Sequence, residues 1–177
     1  MPGPVFLGSD EVALRTIEEE DLEFLQMQVN DPAVWRPIGG SRPINADQER
    51  EFYEDVVCGD DGVHLLIAVD ETPVGTIGLR DIDQETGNAE LGYWVAPEHH
   101  GRGYGTEATR LTVEYAFQQL RLHRVDARVF EFNEPSRRLL ESVGFCREGV
   151  LRDAEFIDGE YRDVYWYGLL EDEWRED

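Results

Sequence analysis

A chain of 177 residues, 41% of them hydrophobic, is long enough for one ordinary core and too apolar for disorder. Aspartate and glutamate number 39 against 16 cations, all arginine, and the resulting formal net charge of −23 excludes a surface built for nucleic acid or anionic membrane. No apolar run approaches the ~20 residues of a membrane span, and Cys58 and Cys146 are too few for a disulfide framework.

The whole chain, 1–177, reads as a single domain. Its first residues, MPGPVFLGSDE, hold no basic region and so no signal peptide, which together with the few cysteines implies a reducing, cytoplasmic setting. The acids are spread along the chain rather than gathered in a tail, so they form a solvated surface. Self-repulsion of that size opposes the compact state unless salt screens it, and a halophilic protein working in a high-salt cytoplasm is the expectation.

Residues 11–17 alternate in polarity and predict a first strand. Acids then open a helix over 18–29, with Leu22, Leu25 and Val29 on one face, and Asn30-Asp31-Pro32 stops it. Prolines and the Gly39-Gly40 pair make 33–44 a loop. Asn45-Ala46-Asp47-Gln48 has capping-box form and opens a helix to residue 58. Residues 64–69 and 74–82 predict a hairpin around Glu71-Thr72-Pro73.

From Ala89 the chain alternates again, with Ala89, Leu91, Tyr93 and Val95 on one side and Glu90, Gly92 and Trp94 on the other, until Pro97 ends the strand. A glycine-rich turn, His100-Gly101-Arg102-Gly103-Tyr104-Gly105, leads into a helix over 105–120. Next come a strand over 124–130, parallel to the previous one if the connection is an ordinary crossover, and a helix capped by Asn133 that ends at Gly144. Strands over 145–157 and 161–170 close the chain as a hairpin around Asp158-Gly159.

The glycine-rich turn admits several readings. It is a tight turn needing glycine angles, or a dinucleotide turn, since Gly103 to Ala108 fits G-x-G-x-x-A, though too little chain follows for a second half of that fold. A Walker A loop is excluded by the absence of lysine. A third reading is a phosphate cradle: first-turn N–H groups, the positive end of a helix and no Cβ in the way, with Arg102 adding a charge-assisted contact.

The stretch resembles the acyl-CoA segment of the GNAT acetyltransferases, patterned [Gln/Arg]-x-x-Gly-x-[Gly/Ala], here His100-x-x-Gly103-x-Gly105 with the first position departing. With GYWV, GxGYGTEA and a later NEPS…GF…EG, nearly the whole chain is similar to the RimJ/RimL-type protein N-acetyltransferases. The resemblance implies the α/β (α+β) GNAT fold, a mixed central sheet splayed between its fourth and fifth strands, with a bulge near Trp94-Val95. It implies acetyl-CoA as co-substrate. His100, Gly101, Arg102, Gly103, Tyr104, Gly105 and Thr106 would hold the pyrophosphate, the backbone of Val95 and Ala96 the pantetheine arm, and Asn133 that same arm. Each has a plainer reading: Val95 is a buried strand residue in any case, and Asn133 is a helix cap.

Acetyl transfer to an amine needs a polarised carbonyl, a neutral amine and a proton for the departing thiolate. The Val95 N–H is the candidate for the carbonyl. Ser136, matching a serine of the RimL-like pattern, is the candidate acid, or simply satisfies its helical turn. Glu155 matches the carboxylate that acts through water in RimL-like enzymes and is favoured as base over Glu90. His99 and His100 are adjacent and two cysteines are scattered, so no metal site is expected. The implied partners are an amine acceptor and no nucleic acid or membrane, with a homodimer left open. The acceptor is read as a protein or peptide N-terminus, because an α-amine (pKa ~7.7–8.0) is far more often neutral at pH 7 than a lysine amine (~10.4). Small-molecule amine acetylation and non-catalytic acetyl-CoA binding are the alternatives.

Overall fold

A computed structural model describes residues 3–175 of the protein. The first two residues of the segment read for a signal peptide, and the last two of the chain, lie outside the described residues. Eight strands make one sheet: β1 (Val5–Gly8), β2 (Ala13–Thr16), β3 (Val63–Val69), β4 (Thr72–Asp83), β5 (Asn88–Val95), β6 (Arg124–Phe130), β7 (Cys146–Ile157) and β8 (Glu160–Leu170). Their order across the sheet is β1-β2-β3-β4-β5-β6-β8-β7, and only β5 and β6 pair in parallel. The mixed α/β sheet is the one expected.

The helices are α1 (Leu22–Val29), α2 (Pro32–Trp35), α3 (Ala46–Phe52), α4 (Tyr104–Gln118), α5 (Glu134–Val143) and α6 (Glu171–Arg175). One sheet face carries Leu65, Ile77, Leu79, Leu91 and Val125, which pack with Val113, Ala116 and Phe117 of α4 and Leu140 of α5 into the main core. The other face carries Leu66 and Trp94, covered by Leu22, Phe24 and Leu25 of α1 and by Tyr53. Each fully buried aliphatic side chain in these layers contributes roughly 1.5–3 kcal/mol.

β5 and β6 diverge. Their pairing runs from Asn88 opposite Arg124 to Leu91 opposite Ala127 and stops there, while β5 continues to Val95 and β6 to Phe130 along β8. This is the expected splay between the fourth and fifth strands, now β5 and β6 because β1 was not predicted. No bulge accompanies it: β5 keeps one register with β4 from Glu90 opposite Arg80 to Val95 opposite Gly75. The departure of β6, not a kink in β5, opens the sheet.

Other differences are local. The turn between β3 and β4 is tighter than expected, using Asp70 and Glu71 at positive φ, and Pro73 lies inside β4, where a register irregularity between Ile67 and Ala68 accommodates it. The helix expected over 18–29 begins as a 3-10 turn, Glu19–Asp21, and the loop over 33–44 contains α2 at its start, capped by Asp31. The helix expected to run to residue 58 is α3 followed by a π turn, Tyr53–Val57, closed by the Cys58 N–H on the Tyr53 carbonyl. The Asp158-Gly159 turn and the left-handed Gly144 cap are as predicted.

Candidate active site

The gap between β5 and β6 is the throat of a cavity of about 1250 Å³ whose lining comes from both faces of the sheet. On the α4 side lie Gly101, Gly103, Tyr104, Thr106, Ser136 and Leu139; on the α1–α3 side lie Glu49, Phe52, His64, Gly92 and Trp94. Gly92 leaves the space between them open, since a Cβ built there meets no atom within 4 Å.

The backbone of β5 is oriented by its pairing with β4. Ala96 donates its N–H to the Val74 carbonyl at 2.8 Å, so by antiparallel alternation Val95 directs its N–H and C=O away from β4, into the gap. His100 donates from Nε2 to the Val95 carbonyl at 2.6 Å, which ties that peptide down and sets the imidazole tautomer. Ala96 is fully buried, outside the lining, and its carbonyl accepts from His99 N at 2.9 Å. Of the two residues read as a backbone surface, Val95 faces the gap.

The glycine-rich turn fits an anionic group. Gly101 and Gly103 have φ of 72° and 83°, and a Cβ built at either meets nothing within 4 Å: these are positions where a side chain would fill open space at the mouth of α4. Gly103 is the left-handed N-cap, and the N–H groups of Tyr104, Gly105 and Thr106 are first-turn donors that an α-helix leaves unpaired. Gly105 differs. It is buried, with Leu139 Cδ1 at 3.1 Å and Val95 Cγ2 at 3.5 Å from a built Cβ, so its smallness lets α4 seat against β5 and α5. Arg102 is exposed and outside the lining.

Beside the gap, the hydroxyl of Tyr93 and Oγ of Ser136 are hydrogen-bonded at 2.6 Å. Burial pushes the Tyr93 phenol up to about 12, with the Ser136 contact pulling weakly the other way. Ser136 is placed by Asn133, whose Oδ1 caps α5 by accepting from the Ser136 N–H at 3.3 Å. Asn133 is thus a cap at the cavity wall. Tyr93 was missed in the sequence because it belongs to the apolar row of β5, where alternation makes it core.

At the other end the charged groups are sorted. Glu90 accepts from Arg128 Nε at 2.9 Å and also pairs with Arg80, so this carboxylate is held by two guanidinium groups. Glu155 lies past a register irregularity on β7, exposed at the rim, and also lines the cavity. Burial, with Arg80 nearby, holds the His64 imidazole below the ordinary histidine value, and its ring meets that of Phe52 at 6.2 Å. Among the described residues no group of histidines, cysteines and carboxylates could hold a metal ion.

The family described as Acetyltransferase (GNAT) domain matches residues 11–146. The uncharacterized N-acetyltransferase p20 of Bacillus licheniformis is 35% identical over 95% of this chain and 97% of its own length. YdaF of Bacillus subtilis (strain 168), provisionally named a ribosomal N-acetyltransferase, is 32% identical over 94% of each. Among solved structures, the spermidine N-acetyltransferase of Vibrio cholerae in complex with CoA and spermine aligns with a TM-score of 0.89 and 25% identity, over 94% of this chain and 99% of that one.

Proposed function

The chain belongs to the GNAT acetyltransferase family and is an acyltransferase, and from that premise we propose that it acetylates the α-amino group of a peptide or protein, in the manner of the RimJ/RimL type. The observation that carries this reading is the charge of the cavity. In a chain of net charge −23, the charged residues lining it are Glu49, Glu90 and Glu155 against Arg80, Arg128 and Arg138. A polyamine, with ammonium groups spaced along its length, would call for a row of free carboxylates, and Glu90 is already held by Arg80 and Arg128. A peptide N-terminus brings one ammonium followed by neutral amides, which suits a balanced and largely apolar wall.

Bound acetyl-CoA supplies the thioester and the acetyl group. The glycine-rich turn offers its backbone donors to the pyrophosphate. Val95 offers its N–H to the carbonyl oxygen, and the His100 contact keeps that peptide plane from rotating. Ser136 holds a proton for the departing thiolate, and its bond with Tyr93 orients that hydroxyl. Glu155, exposed at the rim, takes the proton of the amine directly or through water. Glu90, neutralised by two arginines, is the weaker candidate for that role.

A second reading, acetylation of a small polyamine, is favoured by the likeness to the Vibrio cholerae enzyme. One experiment separates them. Peptides with free and blocked N-termini, each with an internal lysine, and spermidine are offered with acetyl-CoA, and the products are read by mass spectrometry. Acetylation of the free N-terminus, with the blocked peptide and spermidine slow, is expected. Equal rates on lysine in the blocked peptide, or faster turnover of spermidine, overturn the N-terminal reading.

A further inference from the structure

Of the buried polar side chains, Asp21, Thr109 and Thr112 are accounted for within the fold, while Gln28 leaves its Oε1 without a hydrogen bond. Asp21 accepts from the Glu18 N–H at 2.8 Å, and Thr109 and Thr112 donate to the carbonyls of Gly105 and Ala108. Glu49 is different. It is 5% exposed, the only buried residue of α3, and its carboxylate has no hydrogen-bond or ion-pair partner among the described residues, yet it lines the cavity.

Its position follows from the helix. The capping box between Asn45 and Gln48 fixes where α3 begins. Glu49 then points inward one turn before Tyr53, while Asp47, Arg50 and Glu51 face solvent. Arg80 and Arg128 of the cavity wall are committed to Glu90, and Arg50 of the same helix to Glu19. Burial raises the Glu49 carboxyl above its ordinary value. The carboxylate, largely withdrawn from bulk water, opens onto the cavity without a partner, where a cation entering would join it.

We infer that the Glu49 carboxylate receives the ammonium group of the acceptor as it enters the cavity, an inference that rests on the amine-acceptor reading above. An ammonium brings the charge and the N–H donors that this oxygen pair lacks. The pocket around it suits one such group: apolar Phe52 and Val56 lie on the same helical stretch, and neutral His64 lines the same end. Glu49 is thereby a binding residue for the acceptor, distinct from the groups that move protons in the transfer.

The test compares wild type with Glu49→Gln, using a short peptide with a free N-terminus, the same peptide N-acetylated, and spermidine. The KM for the accepted amine rises roughly 10- to 100-fold, the scale of one charge-assisted contact. Affinity for acetyl-CoA and kcat stay within a few-fold, and the melting temperature rises, because a buried unpaired charge is removed. Without acetyl-CoA, the free peptide raises the melting temperature of wild type and not of the variant, and the blocked peptide raises neither. If spermidine gives the Glu49-dependent shift and the free peptide does not, the inference stands and the peptide reading falls. An unchanged KM with an undiminished shift overturns the inference and leaves peptide acetylation standing. Should Glu49→Gln fail to fold, Glu49→Met is read the same way, and a wild-type KM there overturns it.

Discussion

The hydroxyl of Tyr93, on the central strand, and the Oγ of Ser136, in the first turn of α5, share a hydrogen bond of 2.6 Å beside the gap in the sheet. Two elements far apart in sequence are joined there, and under the proposed mechanism this is where a departing thiolate would meet a proton. With the phenol pushed up to about 12, Tyr93 stays protonated through the working pH range and can donate to Ser136, leaving the serine proton to point outward.

Ser136→Ala is therefore expected to lower kcat by ~100-fold or more while acetyl-CoA affinity stays near wild type, and Tyr93→Phe to lower it by a smaller factor, on the scale of general acid catalysis. Tyr93 has a second consequence. Its raised pKa means the unfolded chain loses the phenolic proton first, so the stability it contributes is present below pH ~10 and is lost as pH rises toward 12. Chemical denaturation across that alkaline window should fall less steeply for Tyr93→Phe. Equal slopes would place Tyr93 outside any such linkage.

The two glycines of the donor turn should fail in different ways. Gly103→Val puts a branched side chain into open space at φ 83°, so acetyl-CoA binding is lost with a stability cost of about 1–3 kcal/mol from backbone strain. Gly105→Val drives its side chain into Leu139 and Val95, and its first effect is overpacking, also about 1–3 kcal/mol, with binding lost as α4 shifts. Arg102→Ala, at an exposed position outside the lining, weakens binding less than tenfold. Calorimetric titration paired with thermal melts checks all of these. Wild-type affinity in Gly103→Val would remove the phosphate reading.

The glycine-rich turn is legible in the sequence because it is made of backbone, and backbone needs leave glycine patterns. The same holds for the Asp158-Gly159 turn and the Gly144 cap. Tyr93 and Glu49 are illegible for opposite reasons. Tyr93 obeys the alternation of β5 and so looks like core, while position 49 is one carboxylate among 39 acidic residues and looks solvated. What turns Glu49 inward is the seating of α3 on α1, a tertiary fact. The edge strand β1 is missed because Val5–Gly8 is short, largely exposed and without alternation. The splay is recovered only through resemblance, since it is the course of β6 that opens it.

The acidic surface should make stability depend on salt. At a formal net charge of −23 the folded chain repels itself, and screening within a Debye length relieves that repulsion. The melting temperature is expected to rise between low and molar sodium chloride, each kcal/mol of relief appearing as roughly 2–4 °C for a domain of this size. A flat dependence would show that the acids are balanced locally and would remove the case for a high-salt setting.

Glu90 and Glu155 should separate by what their loss does to the fold. Glu90 is held by Arg80 and Arg128 with its side chain 12% exposed, so Glu90→Gln strands two guanidinium groups beside a half-emptied site. Both arginines are about half exposed, which places the cost near 1–3 kcal/mol, below that of breaking a fully buried pair. Its kcat should fall only as far as the cavity distorts, and Glu90→Gln with Arg80→Gln should recover part of the stability. Glu155 is exposed and paired across the hairpin only through the β7–β8 register opposite Arg162, so Glu155→Gln leaves the melting temperature unchanged. If it is the base, kcat falls by ~100-fold, with the acidic limb of the pH–rate profile altered and acetyl-CoA affinity unaffected. Full turnover in Glu155→Gln together with a large loss in a still-folded Glu90→Gln would move the base to Glu90.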